Sequence, residues 1–311
     1  MDPLEDVLAL LETRGRFSPG LRAGGEWAME FEAPAGVKFN AVRHGSCRLW
    51  PEGTDTPIDL GPGDCFLLTR PRPFTLTSST ESRSATAAVP LNARTVFEAA
   101  EGGFARIGAG DEVLLIGGSF TFGERARGLL LDALPAVIHV PAGTTHAETI
   151  QWALGQMEKE MLDRPMGAFL VGEHLAVVML IHVLRLHLAT DARHAPGWLA
   201  GLADPAVAAA LAALHSHPER SWTVAEIAQV SGTSRSTFAS RFRSTVGQAP
   251  LDYLRHWRIE LTARHLRQGD ETLASIARLV GYRSDSALST AFKQVTGMSP
   301  RAYRKSVAPA A

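Results

Sequence analysis

A ten-residue pattern that occurs twice in the last third of this 311-residue chain limits its fold more than any other feature. Residues 223–232 are repeated at residues 272–281, and after one inserted residue the match continues to Tyr253 and its counterpart Tyr303. Two copies are too few for a solenoid, which needs three or more repeats. The pattern therefore predicts one supersecondary unit that is duplicated.

Each copy is typical of a helix, a turn with a glycine, and a second helix. Thr223 or Thr272 can cap the first helix, and a glycine follows where a helix needs a left-handed residue. The apolar side of the first helix is predicted to hold Ile227, Ala228 and Val230, or Ile276, Ala277 and Leu279. Ser234 and Ser284 can cap the second helix. This is the pattern of a helix-turn-helix, whose second helix enters the DNA major groove.

A helical wheel predicts which side chains of each second helix face outward. With Phe238 and Phe242 inward, or Leu288 and Phe292 in the second copy, the outer face carries hydroxyl and basic side chains. These outer residues are Ser236, Ser240, Arg243 and Ser244 in the first copy, and Ser286, Thr290, Lys293 and Gln294 in the second. We interpret both faces as groove-facing surfaces; the alternative is that they are ordinary solvated faces.

Residues 250–268, between the copies, predict a single helix that begins at Pro250 and ends before Gly269. Its predicted apolar stripe comprises Leu251, Leu254, Trp257, Leu261 and Leu266. About 19 residues at ~1.5 Å each give a rod of ~28 Å, close to the DNA pitch of ~34 Å. Such a rod can set two recognition helices in successive turns of the major groove.

Further motifs surround the two copies. They are Arg258-Ile259 through Leu266, Ser275-Ile276-Ala277, Gly281-Tyr282, residues 284–288, Phe292-Lys293 and residues 297–304. Together they resemble the DNA-binding domain of the AraC/XylS family of bacterial transcription regulators. The resemblance implies that double-stranded DNA and RNA polymerase are partners, and that the second helix of each copy contacts the bases.

By motif position, the resemblance maps the base contacts to Ser236, Ala239, Ser240, Asp285, Ser286, Ala287 and Thr290. The full set predicted to contact DNA adds Arg235, Thr237, Arg241, Arg243, Ser244, Arg283, Ser284 and Lys293. The chain departs from the family where relatives carry a long side chain, because it has Ala239, Ser240 and Thr290 there.

Charge is distributed unevenly along the chain. The formal net charge is only −1, yet from Ser221 onward there are 13 Lys and Arg against 6 Asp and Glu, which leaves the remainder at −8. A basic module joined to an acidic one is the electrostatic pattern of a protein that binds phosphates with one end.

Two cysteines occur, Cys47 and Cys65, so a disulfide framework is not indicated and a reducing cytoplasm is expected. A redox-sensing pair stays open as an alternative to two small buried thiols. The N-terminal residues 1–6 are acidic, so we expect no signal peptide.

Short segments rich in apolar residues fill the N-terminal part and predict many short strands, as in a sandwich or small barrel. Residues 15–25 are predicted to be a loop. The predicted strands are residues 26–32, 37–42, 47–50, 58–60, 65–69, 74–77 and 113–120.

The turn of residues 60–64 and the apolar strand after it resemble the signature of cupin barrels, in particular the sensor domain that precedes AraC-type DNA-binding domains. The resemblance implies a small-molecule effector. Metal-binding cupins supply histidines nearby, but Phe74 and Asn40 occupy such positions and His44 is isolated. We therefore expect neither a metal nor a cofactor. His215 and His217 are interpreted as the termination of a helix.

Residues 168–188 are the most apolar run and have the length of a membrane span. Charged and titratable residues make a membrane location unfavourable: Glu173, His174, His182, Arg185 and His187. We expect a helix buried between protein surfaces, either in a homodimer interface or in the core of one domain.

The sequence thus predicts a multidomain α+β protein. Residues 1–145 would form a cupin-like β-barrel with flanking helices, residues 146–200 a helical dimerisation and linker region, and residues 201–311 an all-α domain with two helix-turn-helix units. We interpret the chain as an effector-responsive regulator that binds specific DNA and is not an enzyme. Two alternatives stay open: a cupin-type enzyme fused to a DNA-targeting module, and an effector-independent DNA-binding protein. No nucleophile elbow, P-loop or dinucleotide fingerprint occurs in the sequence.

Overall fold

The computed structural model describes residues 2–10, 13–78, 90–100, 103–122, 131, 134–145, 147–190, 197–269 and 271–307. These residues belong to two units. The first, called the cupin unit below, contains residues 13–122 and 134–190. The second, called the helical unit, contains the N-terminal helix together with the described residues from 197 onward.

The described residues of the cupin unit form eleven strands. They are β1 (Arg14–Ala23), β2 (Ala28–Phe31), β3 (Val37–His44), β4 (Cys47–Pro51), β5 (Ile58–Leu60), β6 (Cys65–Leu68), β7 (Phe74–Ser78), β8 (Leu91–Asn92), β9 (Phe104–Ile107), β10 (Val113–Thr121) and β11 (Val137–Val140). Three helices accompany them, α2 (Ala93–Glu98), α3 (Glu148–Asp163) and α4 (Ala168–Thr190).

The strands form two mixed sheets. One has the order β11-β6-β3-β10-β1-β9 and the other β5-β4-β7-β2-β8, with parallel pairing at β1–β9 and β2–β8. Alternate side chains of both sheets meet in one apolar core, which includes Met29, Val42, Leu49, Phe66 and Leu76. The unit is therefore built as two sheets over a shared core; their closure into a single barrel stays a prediction.

The loop predicted for residues 15–25 is wrong over residues 15–23, which belong to β1 and pair with β10 and β9, and only Gly24 and Gly25 lie outside the strand. Its glycines signal close packing rather than a turn. A Cβ on Gly15 would lie 2.5 Å from the carbonyl oxygen of Glu173, and one on Gly20 would lie 2.8 Å from the sulfur of Met161. Pro19 falls where the register of β1 against β10 shifts, and a strand tolerates proline at such a bulge.

The turn before β6 has the predicted chemistry. Gly63 has a φ of +88°, and the carboxylate of Asp64 accepts hydrogen bonds from the backbone N–H of Gly61 at 3.0 Å and of Ala142 at 2.8 Å. Cys47 and Cys65 are buried free thiols, and burial, with the nearby Asp64 charge, raises the pKa of each to about 12. Neither is a reactive thiolate at neutral pH.

Helix α4 is the one described helix long and apolar enough to cross a membrane. One side of it, with Met179, Leu180 and Leu184, is buried within the cupin unit, where α4 packs on α3 and β1. Its beginning differs from the predicted buried helix, because Phe169 is 64% exposed. Length and composition alone therefore carry no membrane assignment.

Nine described helices form the helical unit. They are α1 (Pro3–Leu10), α5 (Trp198–Ala203), α6 (Pro205–Ser216), α7 (Val224–Val230), α8 (Arg235–Val246), α9 (Pro250–Gln268), α10 (Leu273–Leu279), α11 (Asp285–Thr296) and α12 (Pro300–Val307). The duplicated pattern thus gives α7–α8 and α10–α11, with α9 between them, as predicted.

Helix α9 has the predicted bounds, but its predicted stripe is partly wrong. Leu251 is 41% exposed, whereas Tyr253, Ile259 and Ala263 are buried. The reason is that α9 contacts α8 and α1 as well as α10, α11 and α12, so different sides of the rod are covered. A single-stripe wheel describes a helix with one packing partner.

His215 lies at the end of α6 as predicted, but its role is larger than helix termination. Its side chain is fully buried and stacks on Trp257 with ring centroids 3.9 Å apart. Its Nε2 lies 2.7 Å from the Tyr253 hydroxyl and its Nδ1 lies 3.2 Å from a carboxylate oxygen of Asp6. The imidazole therefore joins α1, α6 and α9.

Candidate nucleic-acid interface

The first helix of each copy is fixed by its N-cap. Thr223 and Glu226 form a capping box at α7, in which the threonine hydroxyl accepts from the Glu226 N–H and the carboxylate accepts from the Thr223 N–H. The Glu226 carboxylate accepts from the Thr223 hydroxyl, the Thr223 N–H and Arg220, and these hydrogen bonds lower the pKa of Glu226 to about 2. In the second copy the Thr272 hydroxyl accepts from the Ser275 N–H, so α10 begins in the same way.

The turns of the two copies also match. Gly232 has a φ of +64° and Gly281 a φ of +82°, a conformation that glycine adopts without steric cost. The predicted apolar sides are wrong at one position in each copy, because Val230 is 46% and Leu279 48% exposed. Both residues end their short helix beside the turn, where no neighbouring element covers them.

The second helix of the first copy, α8, presents the predicted face. Its N-cap Ser234 accepts from the Thr237 N–H, while Phe238 and Phe242 are fully buried. The exposed residues of the predicted set are Arg235, Ser236, Thr237, Ser240, Arg241, Arg243 and Ser244, and Ala239 is half-buried at their edge.

The second copy repeats this arrangement in α11. Ser284 caps the helix by accepting from the Ala287 N–H, and Leu288 and Phe292 are fully buried. All members of the predicted set are exposed: Arg283, Ser284, Asp285, Ser286, Ala287, Thr290 and Lys293. Two outward faces of matching shape therefore follow from one duplicated pattern.

The polar groups on these faces are not equally available. Arg241 donates to the Asp204 carboxylate at 2.6 Å, and the hydroxyls of Ser244 and Thr290 donate to backbone carbonyls of their own helices. By contrast, Arg243 and Lys293 have no ion pair within the described ranges. Both cations are exposed to solvent.

Arg258 of α9 positions the second copy against the first, and the sequence pattern alone does not reveal this. Its guanidinium donates to the carbonyl oxygens of Pro218 at 2.6 Å and Arg220 at 2.8 Å. It also lies over the ring of Tyr282, 5.8 Å from the centroid. One side chain thus ties the segment before α7 to the turn after α10.

Tyr253 and Tyr303, which the repeat aligns, hold equivalent places. Tyr253 bonds His215, and the Tyr303 hydroxyl accepts from Arg267 at 2.7 Å. Both are buried, so the repeat itself contained the signal that each tyrosine closes the core of its copy.

The residues with metal-binding side chains form no metal site in the part of the chain that the structure describes, where no three His, Cys, Asp or Glu gather. Phe74 stacks on Phe31 with centroids 4.3 Å apart, so a core ring fills the place of a cupin histidine.

Comparisons with known proteins agree with this architecture. The family described as Cupin matches residues 2–189, and the family described as Helix-turn-helix domain matches residues 227–306. A relative from Streptomyces lividans, whose name describes an AraC-like transcription regulator, is 60% identical over 98% of both chains. One from Streptomyces antibioticus with the same description is 60% identical over 99% of this chain and 100% of its own. The solved DNA-binding domain of AdpA in complex with a target DNA is 36% identical and covers 33% of this chain and 92% of that chain, with a TM-score of 0.31.

Proposed function

Because this chain belongs to the AraC family of transcription regulators, with a cupin domain and a helix-turn-helix DNA-binding domain, we propose that α8 and α11 enter the major groove of one DNA duplex. The observation that carries the proposal is the pair of matching outward faces, each capped by a serine and held by buried rings or leucine. Helix α9, at about 28 Å, would separate them by close to one turn of DNA.

Arg243 and Lys293 are proposed to neutralise phosphates, and Ser240 and Thr290 are proposed to meet base edges. Thr290 would do so as an acceptor, because its hydroxyl donates to the Ser286 carbonyl oxygen. Fluorescence anisotropy with DNA from upstream of neighbouring genes, over a range of salt concentrations, tests this. Each of Arg243→Ala and Lys293→Ala should lower the salt slope by about one. Arg106→Ala is the control, because it removes the same charge from β9 of the cupin unit, where Arg106 pairs with Asp111. Slopes that do not change in the first two variants would contradict the phosphate role.

We propose that the cupin domain binds a small-molecule effector and has no catalytic activity, since the relatives that cover the whole chain are named as regulators. The effector would act by favouring one arrangement of the protein over another. Metal analysis of the purified protein separates this from the alternative of a cupin enzyme, which would need a stoichiometric metal. The two sheets would be the halves of the cupin barrel.

We further propose a homodimer formed through α4. Its N-terminal part exposes Phe169, Leu170 and Val171, and Trp152 of α3 is 55% exposed. Sedimentation of Phe169→Glu should show dissociation, while Leu91→Glu, at an exposed apolar residue of β8, should leave the dimer intact. Sedimentation of the unaltered chain as a monomer would refute the proposal.

The proposed organisation keeps a cupin-like domain over residues 1–145, a helical dimerisation and linker region over residues 146–200, and a DNA-binding domain over residues 201–311. RNA polymerase is the proposed protein partner, since the relatives are named as transcription regulators. The proposed location is the cytoplasm, where bacterial DNA lies.

A further inference from the structure

One end of the space between the two sheets of the cupin unit is polar. Lys38 of β3 lines a cavity of about 280 Å³, whose other walls include Phe31 of β2 and Phe97 of α2. The two rings are tilted against each other, with centroids 6.3 Å apart. The cavity therefore offers a cation on one side and an aromatic wall on the other.

The Lys38 ammonium makes no hydrogen bond or ion pair with any described residue. Two other charged side chains line the cavity, Glu32 and Arg94, but Arg94 is paired with Glu98 at 3.3 Å. Burial lowers the pKa of Lys38 to about 8. Lys38 is half-buried, and a partly buried cation loses hydration that no described group restores. The cupin unit therefore holds a charge that its described residues leave unpaired.

A second donor without a partner lies on the same face of β3. Asn40 follows Lys38 by two residues, about 7 Å along the strand. It is only 7% exposed, and no described residue accepts from its Nδ2. The register pairs Asn40 with Gly117, and Gly117 with Ser18, which lines the cavity. Because directly paired residues project from one face, Asn40 belongs to the face that bounds the cavity.

Two unused donors beside an aromatic wall need a ligand with oxygen acceptors and an apolar body. We propose that this cavity binds a small organic carboxylate, with its carboxylate group toward Lys38 and Asn40 and its apolar body against Phe31 and Phe97. The identification of this ligand as the effector rests on the proposed function; the binding itself does not. A dry cavity of ~150 Å³ can hold benzene, so this one has room for a ring with a short acid chain.

Calorimetric titration of the full chain without DNA tests the ligand class. Benzoate and 3-phenylpropionate are each compared with their primary amides, which have the same shape without the charge. The acids should bind about tenfold more tightly or better, because charge-assisted hydrogen bonds are the stronger kind. Equal binding of acids and amides, or no binding of either acid, would overturn the proposal.

Lys38→Met should abolish the preference for the acids, whereas Lys159→Met, the same change at an exposed lysine of α3, should preserve it. Without ligand, Lys38→Met should raise the Tm, because it removes a partly buried charge that has no partner among the described residues. A lower Tm would assign Lys38 a structural role and overturn the inference. Binding of the acids should also weaken by roughly tenfold per pH unit above pH 8, whereas Lys38→Arg should resist this change.

DNA binding is measured in separate anisotropy experiments. If the full chain binds DNA but neither acid, this inference is refuted and the proposed function is not. If the full chain binds the acids but not DNA, the proposed function is refuted and this inference is not.

Discussion

Gly232 and Gly281 occupy the same place in the two copies, and replacing each by alanine separates two physical effects. Both have a positive φ, and an alanine pays about 1–2 kcal/mol for that conformation. A Cβ at position 232 would meet nothing within 4 Å, whereas a Cβ at position 281 would lie 2.5 Å from the Glu219 carbonyl oxygen and 2.7 Å from the Arg258 guanidinium. The second substitution therefore adds a clash to the backbone strain.

Overpacking of this kind costs about 1–3 kcal/mol. We therefore expect Gly232→Ala to destabilise its copy by about 1–2 kcal/mol and Gly281→Ala by about 2–5 kcal/mol. The difference of about 1–3 kcal/mol means that the equilibrium constant for local unfolding should rise roughly 5- to 150-fold more in Gly281→Ala than in Gly232→Ala. Hydrogen exchange of the amides of α10 and α11, compared with those of α7 and α8, measures it copy by copy.

Equal effects of the two substitutions would refute the reasoning. They would mean that the carbonyl of Glu219 and the side chain of Arg258 move away at no cost. The contact would then not hold the two copies in register. DNA affinity in the same variants shows whether the loss reaches function, since only Gly281→Ala disturbs the Arg258 connection.

Three further perturbations test particular contacts. Burial lowers the pKa of His215, opposed by its hydrogen bond to the Asp6 carboxylate. The free energy of unfolding should therefore be at its full value above pH 6.5 and fall below it, where the unfolded chain gains a proton that the buried ring does not. Denaturation at pH 7 and pH 5, followed by tryptophan fluorescence, should show this. Asp64→Ala should destabilise the cupin unit by about 2–3 kcal/mol, because two backbone donors lose a charged acceptor, and urea denaturation measures the loss. Cys47 and Cys65 should react with a disulfide reagent only after unfolding, because their pKa values are about 12; rapid reaction of the native protein would contradict this.

Residues that serve a local purpose could be predicted from the sequence. The caps Thr223 and Ser284 act on their own helices, and Asp64 acts on its own turn, so spacing along the chain was sufficient. Gly15 and Gly20 could not be predicted in this way, because these glycines are required by a helix and side chains far away in the sequence. A glycine needed for close approach looks the same in sequence as one needed for a turn.

The same distinction explains the residues that the pattern did not reveal. In the sequence, Asn40 stands out only because it occupies a position where a metal-binding cupin could have a histidine. Its place on the cavity face follows from its register with Gly117 and Ser18, which depends on the pairing of strands far apart in the sequence. Nothing in the sequence pattern distinguishes Lys38 from other strand residues. Its position beside a cavity depends on α2 and β2, which contribute the rings opposite it.

Arg258 restricts how the two helix-turn-helix copies can move relative to each other. If α9 were only a spacer, bending or rotation at either end would let the two second helices drift in spacing and phase, because a rod fixes distance but not orientation. The guanidinium bonds two carbonyls before α7 and covers Tyr282 after α10, so it adds a second connection beside the rod. Two connections restrict rotation as well as separation. The paired faces are then pre-organised, and less ordering entropy would be lost if both enter the groove as proposed.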